Sequence, residues 1–175
     1  RTLAVLAAPQ ERLGHAAAPD MDLIENSMLT AMVRKNLSSA GFLNWQRAKA
    51  FTQTIIDEFD VRTPGPQSIA RSLSGGNLQK YVIGREVLQD PDVLIVNQPT
   101  WGVDAAAAAA IRQSLLDLAG KGAAIIVISQ DLDELMEIST RFSALNNGKL
   151  SVAQPMAKFS LDEIGLLLGG ADAST

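Results

Sequence analysis

Residues Leu73–Thr100 read LSGGNLQKYVIGREVLQDPDVLIVNQPT. The stretch holds a polar turn with two glycines, a helix, an Asp-Pro break, an apolar strand and a polar tip. The turn Leu73-Ser74-Gly75-Gly76 opens the helix. A helix start carries unpaired backbone N–H groups and the positive end of the helix dipole. Glycines there let a phosphate come close to the backbone, and Ser74 adds a hydroxyl. Asp90-Pro91 ends the helix. Val93-Leu94-Ile95-Val96 is apolar at every position, the pattern of a parallel strand buried on both faces. It delivers Asn97 and Gln98 at its carboxyl end, where open α/β sheets bind ligands.

Working outward, Leu3–Ala7 reads as a short buried strand and Ala8-Pro9-Gln10-Glu11-Arg12 as a polar turn. Asp22 with Glu25 makes a capping box, opening a helix with Ile24, Met28, Leu29, Met32 and Val33 on one broad face. Asn44 caps a second helix, in which Trp45, Ala48, Phe51, Ile55 and Phe59 recur at helical spacing and are expected in the core. Pro64-Gly65-Pro66 is a breaker. Beyond the central stretch, Asp104 caps a helix through Ala119, with Gly120 at its end. Ala124–Ile128 is expected to be another buried strand, and Asp131 opens a short helix. Asn146-Asn147-Gly148 predicts a hairpin turn, and Ser160 caps a last helix through Leu168 ahead of a frayed tail. Strand and helix alternate after residue 73, which argues for an α/β fold with a mainly parallel sheet.

Composition narrows the function. A chain of 175 residues buries one sizeable core. A net charge of −4 disfavours nucleic acid as a partner. With no cysteine, disulfides and thiolate metal sites are excluded. No apolar run approaches the ~20 residues that span a bilayer, and the first residues do not read as a signal peptide, so any membrane link is expected to come through a partner. His15 lies in a loop without a ligand cluster, so no metal site is expected.

The central pattern resembles the ATP-binding cassette (ABC) family, the ATPase subunits of ABC transporters. LSGG matches the family's signature motif and Val93–Gln98 its Walker B strand, with Leu73 and Asn97 twenty-four positions apart as in the family. Gly102-Val103-Asp104 resembles the D-loop, and Ser129-Gln130-Asp131 the loop that usually presents a histidine. The strongest likeness is to the second cassette of bacterial importers for simple sugars or nucleosides. It implies a P-loop NTPase-like fold with a mainly parallel sheet and an all-helical subdomain. The implied organisation of 1–175 is a partial cassette: 1–19 a strand and Q-loop-like segment, 20–72 the helical subdomain, 73–152 the signature, Walker B, D-loop and H-loop-like core, and 153–175 a C-terminal helix and tail.

The resemblance also implies roles. Leu73, Ser74, Gly75, Gly76 and Asn77 would contact ATP held by a partner cassette, Asp104 would bridge the pair, and Gln10 would stand in the Q-loop. Asn97 replaces the aspartate that helps hold Mg²⁺, and a neutral amide lacks the charge a hard cation prefers. Gln98 replaces the catalytic glutamate, and an amide does not accept a proton at neutral pH. Gln130 replaces the histidine at the γ-phosphate and keeps only hydrogen bonding. A P-loop is needed to cradle the phosphates. Neither Gly120-Lys121-Gly122 nor Gly148-Lys149-Leu150 fits one, so the P-loop is expected upstream of Arg1.

The expectation is therefore the carboxyl-side portion of a degenerate cassette, peripheral on the cytoplasmic face of the bacterial inner membrane. ATP and Mg²⁺ would serve the complete transporter, whose other parts are a partner cassette, transmembrane permease subunits and, indirectly, a solute-binding protein. The chain alone is expected to be inactive as an ATPase and to expose apolar sheet surface. Two other readings stay open: a non-enzymatic interaction module that joins membrane subunits without binding nucleotide, and an unrelated phosphate-binding α/β domain carrying LSGG.

Overall fold

The computed structural model describes residues 3–39 and 41–169. They form two compact units, 1–130 and 131–175 by residue number. The first contains β1 (Val5–Ala8), α1 (Leu23–Ala31), β2 (Ser38–Ser39), β3 (Phe42–Leu43), α2 (Trp45–Glu58), α3 (Gly75–Val87), β4 (Val93–Asn97), α4 (Ala105–Gly120) and β5 (Ala124–Ile128). β1, β4 and β5 make a parallel sheet with β4 in the centre. Val5 pairs with Val93 and Val93 with Ala124, while Asn97 pairs with Ile128.

This register puts Leu94 and Val96 on one face, both fully buried, with Ala8 beside them. The opposite face is open. Val5 is 57% exposed, Ile126 52% and Ile128 51%. The expectation of strands buried on both sides therefore fails for β1 and β5 among the described residues, and in β4 Val93 and Ile95 are only half-buried. Their sequences are apolar throughout, but burial depends on what covers each face, and helices of this unit cover one. The open face agrees with the expected apolar sheet surface.

Local chemistry explains the helices. Asp22 accepts from Glu25 N at 2.7 Å, and the Glu25 carboxylate accepts from Asp22 N at 2.9 Å, closing the capping box. Asn44 caps α2 by accepting from Arg47 N at 3.0 Å. In α1, Ile24 and Met28 are buried but Leu29 is exposed, and Val33 lies exposed in the turn beyond the helix, so the core stripe is narrower than expected. In α2, Ala48 and Ile55 are fully buried and Phe51 packs on the Ile24–Met28–Leu37 cluster, whereas Trp45 is half exposed. A short antiparallel pair, β2 with β3, interrupts the helical segment. α4 runs one residue past Ala119, and Gly122, not Gly120, takes the left-handed conformation.

α3 is bound to α1 along its length by buried polar groups. Tyr81 donates to Leu23 O at 2.6 Å and accepts from Ser27 at 2.9 Å, and Thr52 Oγ1 of α2 lies 2.9 Å from Ser27 Oγ. Arg85 is 2% exposed. It donates to Glu86 Oε1 at 2.7 Å, to Asn26 O at 3.1 Å and to Ala16 O at 2.7 Å. Beyond the helix end, Arg34 donates to Gln89 O at 3.0 Å and Asp90 O at 2.6 Å. Those contacts satisfy carbonyls near the helix terminus and place a cation by the negative end of the dipole.

The second unit contains α5 (Leu132–Ile138), β6 (Arg141–Phe142), β7 (Leu145–Asn146), β8 (Lys149–Leu150), β9 (Gln154–Pro155) and α6 (Leu161–Leu168). β6 pairs with β9 and β7 with β8, both antiparallel. Asn147 and Gly148 both have positive φ, as the type I′ hairpin turn requires. Phe142 and Phe159 meet edge to face at 5.4 Å, and Ser160 with Glu163 forms a second capping box on α6. Of the tail expected from Gly169 onward, Gly169 is the C-cap of α6 and the rest lies outside the described residues.

Candidate functional site

The site grows from the first turn of α3. Ser74 is its N-cap. The Ser74 oxygen accepts from Asn77 Nδ2 at 2.8 Å and from Asn77 N at 3.5 Å. With its lone pairs so engaged, the hydroxyl keeps its own proton to donate outward. Asn77 is fixed in turn, because its Oδ1 accepts from Arg62 N at 2.8 Å. Ser74 and Gly75 are exposed, while Leu73, Gly76 and Asn77 are half-buried. The turn thus opens a 13-residue helix with Ser74 and Gly75 at the surface, while Asn77 N is taken up by the cap.

Both glycines sit at close approaches. A Cβ on Gly75 would lie 2.7 Å from Arg12 Nη1, and one on Gly76 would lie 3.1 Å from Gly102 O. So the signature-like turn packs directly on the Gly102 turn, which leads to Asp104. Asp104 caps α4, accepting from Ala107 N at 2.9 Å. That backbone hydrogen bond holds its carboxyl below the usual range.

Asn97 and Gln98 leave the carboxyl end of β4. Asn97 is half-buried and Gln98 buried. Gln98 has φ +53°, a left-handed conformation uncommon outside glycine. Its N donates to Ile128 O at 2.7 Å, tying it to β5. Gln130 follows two residues beyond Ile128 and is exposed. Asn97 and Gln98 thus leave β4, and Gln130 follows β5, at the carboxyl ends of neighbouring strands. The pair Asn97 and Gln98 offers a divalent cation no charge, and no cluster of three carboxylate or imidazole groups occurs among the described residues. This donor set does not suit Mg²⁺.

Gln10 is exposed and lines a shallow cleft with Arg12, Leu13, Leu73, Leu78 and Trp101. Arg12 reaches further. Its Nε donates to Gln79 Oε1 at 2.8 Å and its Nη2 to Trp101 O. Partial burial lowers its pKa from the ordinary value. Gln79 is buried and donates to Pro99 O at 2.7 Å and Gln98 O at 3.3 Å. Sequence reading singled out neither Gln79 nor Trp101. The available signal was the spacing of Gln79, four residues after Gly75 and so on the same helical face. His15 is exposed, with Nδ1 3.1 Å from a Glu11 carboxylate oxygen.

No family model matches the chain. It is 35% identical over 163 residues to the guanosine import ATP-binding protein NupO of Bacillus subtilis (strain 168), covering 93% of this chain and 32% of that protein. It is 38% identical over 142 residues to the galactose/methyl galactoside import ATP-binding protein MglA of Escherichia coli (strain K12), covering 81% of this chain and 28% of that protein. The chain thus spans about one third of the length of these relatives. Among solved structures, it superposes on a dimeric ATP-binding cassette in a post-hydrolysis state bound to ADP and phosphate, with TM-score 0.72 and 19% identity, over 87% of this chain and 63% of that one. An ATP-binding subunit of an ABC transporter gives TM-score 0.68 at 20% identity, over 98% and 65%. Carrying part of the ABC cassette fold, the chain is a relative of the ATP-binding proteins of sugar and nucleoside importers.

Proposed function

We propose that the chain is part of the ATP-binding subunit of an ABC importer for sugars or nucleosides, and that it completes the nucleotide site of a partner cassette. The observation that carries this reading is the first turn of α3. It is exposed, glycine-lined and led by a serine whose lone pairs are occupied by Asn77. Such a turn suits the terminal phosphate of a nucleotide anchored elsewhere. Leu73, Ser74, Gly75, Gly76 and Asn77 supply these contacts, and Asp104 follows at the pair's junction.

The chain's own nucleotide site is degenerate. Asn97, Gln98 and Gln130 keep hydrogen-bonding capacity where cation binding, proton transfer and imidazolium charge would be needed. By itself the chain turns over no ATP. Permease subunits and a partner cassette complete the machine at the inner face of the membrane. No helix among the described residues is long and apolar enough to cross it.

The test is Ser74→Arg in the complete transporter, which fills the turn with a long side chain. ATP turnover driven by solute should fall by about 100-fold or more, the scale for losing aligned donors at a developing anion. Unchanged turnover overturns the reading. The same neutral amides favour a second reading, an interaction module that binds no nucleotide. An unchanged melting temperature with saturating ATP would select it, since binding to the native state alone raises stability.

A further inference from the structure

We propose that Arg12 is a positioning residue. It locks the glycine turn of α3 against the Trp101–Gly102 turn and so sets the angle at which Ser74, Gly75 and Gly76 meet a nucleotide. The inference rests on the function proposed above and adds a residue to it.

One guanidinium holds two distant segments. Nε donates to Gln79 of α3 at 2.8 Å, and Nη2 donates to Trp101 O. Nη1 occupies the space that a side chain at residue 75 would need. Gln79 extends the lock by donating to Gln98 O and Pro99 O at the end of β4. The loop after β1, the first turns of α3, the tip of β4 and the turn before α4 therefore share one arginine and one amide.

The base of Arg12 is itself held. Its carbonyl accepts from Ala17 N at 2.7 Å, and Ala16 N donates to Glu11 O at 3.2 Å, closing the loop. Arg85 of α3 then grips the loop at Ala16 O. The loop is thus attached to α3 at two places, near residue 79 and at residue 85. A guanidinium is planar, and its fork fixes direction as well as charge, which a lysine ammonium on a flexible stem does not. Arg12 is only half-buried and lines an open cleft, so water can replace it on Gln79 and Trp101. Its removal should loosen the turn without unfolding the domain.

The experiment uses the complete transporter carrying this chain, with Arg12→Met, Arg12→Lys, Gly75→Ala and the double variant Arg12→Met/Gly75→Ala. Arg12→Met should lower kcat for ATP by about 10-fold or more while leaving KM within about 2-fold, the pattern of lost orientation. Arg12→Lys should not restore it. Gly75→Ala should cost about 10-fold in the parent and less beside Arg12→Met, because the group that collides with its Cβ is gone. The melting temperature of Arg12→Met should stay within about 2 °C of the parent. Unchanged kcat, full rescue by lysine, or independent effects of the two substitutions would overturn the proposal. Ser74→Arg separates the two failures. If it abolishes turnover while Arg12→Met is silent, only the role of Arg12 falls; if it too is silent, both readings fall.

Discussion

The first turn of α3 and its last two turns differ in what their polar groups face. At Ser74–Asn77 the turn lies at the surface with its cap closed locally by Asn77, and close packing is achieved by leaving side chains out. From Tyr81 to Gln89 the polar groups are buried and answered from chain segments far away. Arg85 reaches residues 59 and 69 positions distant. One end lies at the surface, and the other uses its hydrogen bonds to hold the helix in place. Groups unpaired in solvent cost little, whereas the same groups unpaired in the interior cost several kcal/mol.

The largest expected effect follows from that contrast. Arg85→Met leaves Glu86 buried, still accepting from Gln89 but without its cation. The loss should be about 3–5 kcal/mol, the range for breaking one side of a buried pair. Urea titration with an unchanged m-value would measure it. A loss under about 1 kcal/mol would erase the distinction between the two ends.

Tyr81 sharpens the comparison next. Burial pushes its phenol up to about 12, partly offset by Arg85. It is the protein's one tyrosine, so tyrosinate absorbance reads it directly. Between about pH 10 and 12 the unfolded chain has released this proton while the folded chain retains it. Stability should therefore fall as pH rises through that window, by on the order of 2 kcal/mol. Ionisation near the free value in the folded protein would show the middle of α3 to be as open as its start.

The smallest effect belongs to the exposed end. Ser74→Ala removes an N-cap and should cost about 1 kcal/mol of stability. A cost like that of Arg85→Met would mean that the turn is built for folding.

The same contrast explains what the sequence made legible. Caps join residues three apart, so Asp22, Asn44, Asp104, Asp131 and Ser160 could be read directly, and each accepts from the N–H three residues on. The hairpin at Asn147-Gly148 is equally local. The order of strands and helices, and the candidate residues at strand ends and at the α3 start, followed from patterns of the same range. Arg34 and Arg85 carry no local mark, and the helical spacing of Gln79 from Gly75 places it on a face without naming what it bonds. Their partners are set by how distant segments pack, and charged residues along a helix ordinarily face solvent. The exposed sides of β1 and β5 were hidden for a related reason, since Ile126 has the same composition signal whether its face is covered or bare. Arg12 stood within a segment already noted as polar, but only the assembled turn shows what its fork grasps.

The clamp of Arg34 on Gln89 and Asp90 has a mechanical corollary. The turn that follows α1 is fastened there, and α1 itself is fastened to α3 at Tyr81 and Arg85. α3 is a rod of 13 residues, about 20 Å long. Pivoting it by about 5° at the Arg34 end sweeps Gly75 through roughly 2 Å, nearly the length of a hydrogen bond. The placing of the glycine turn is therefore sensitive to small changes in how the far end of α3 is held.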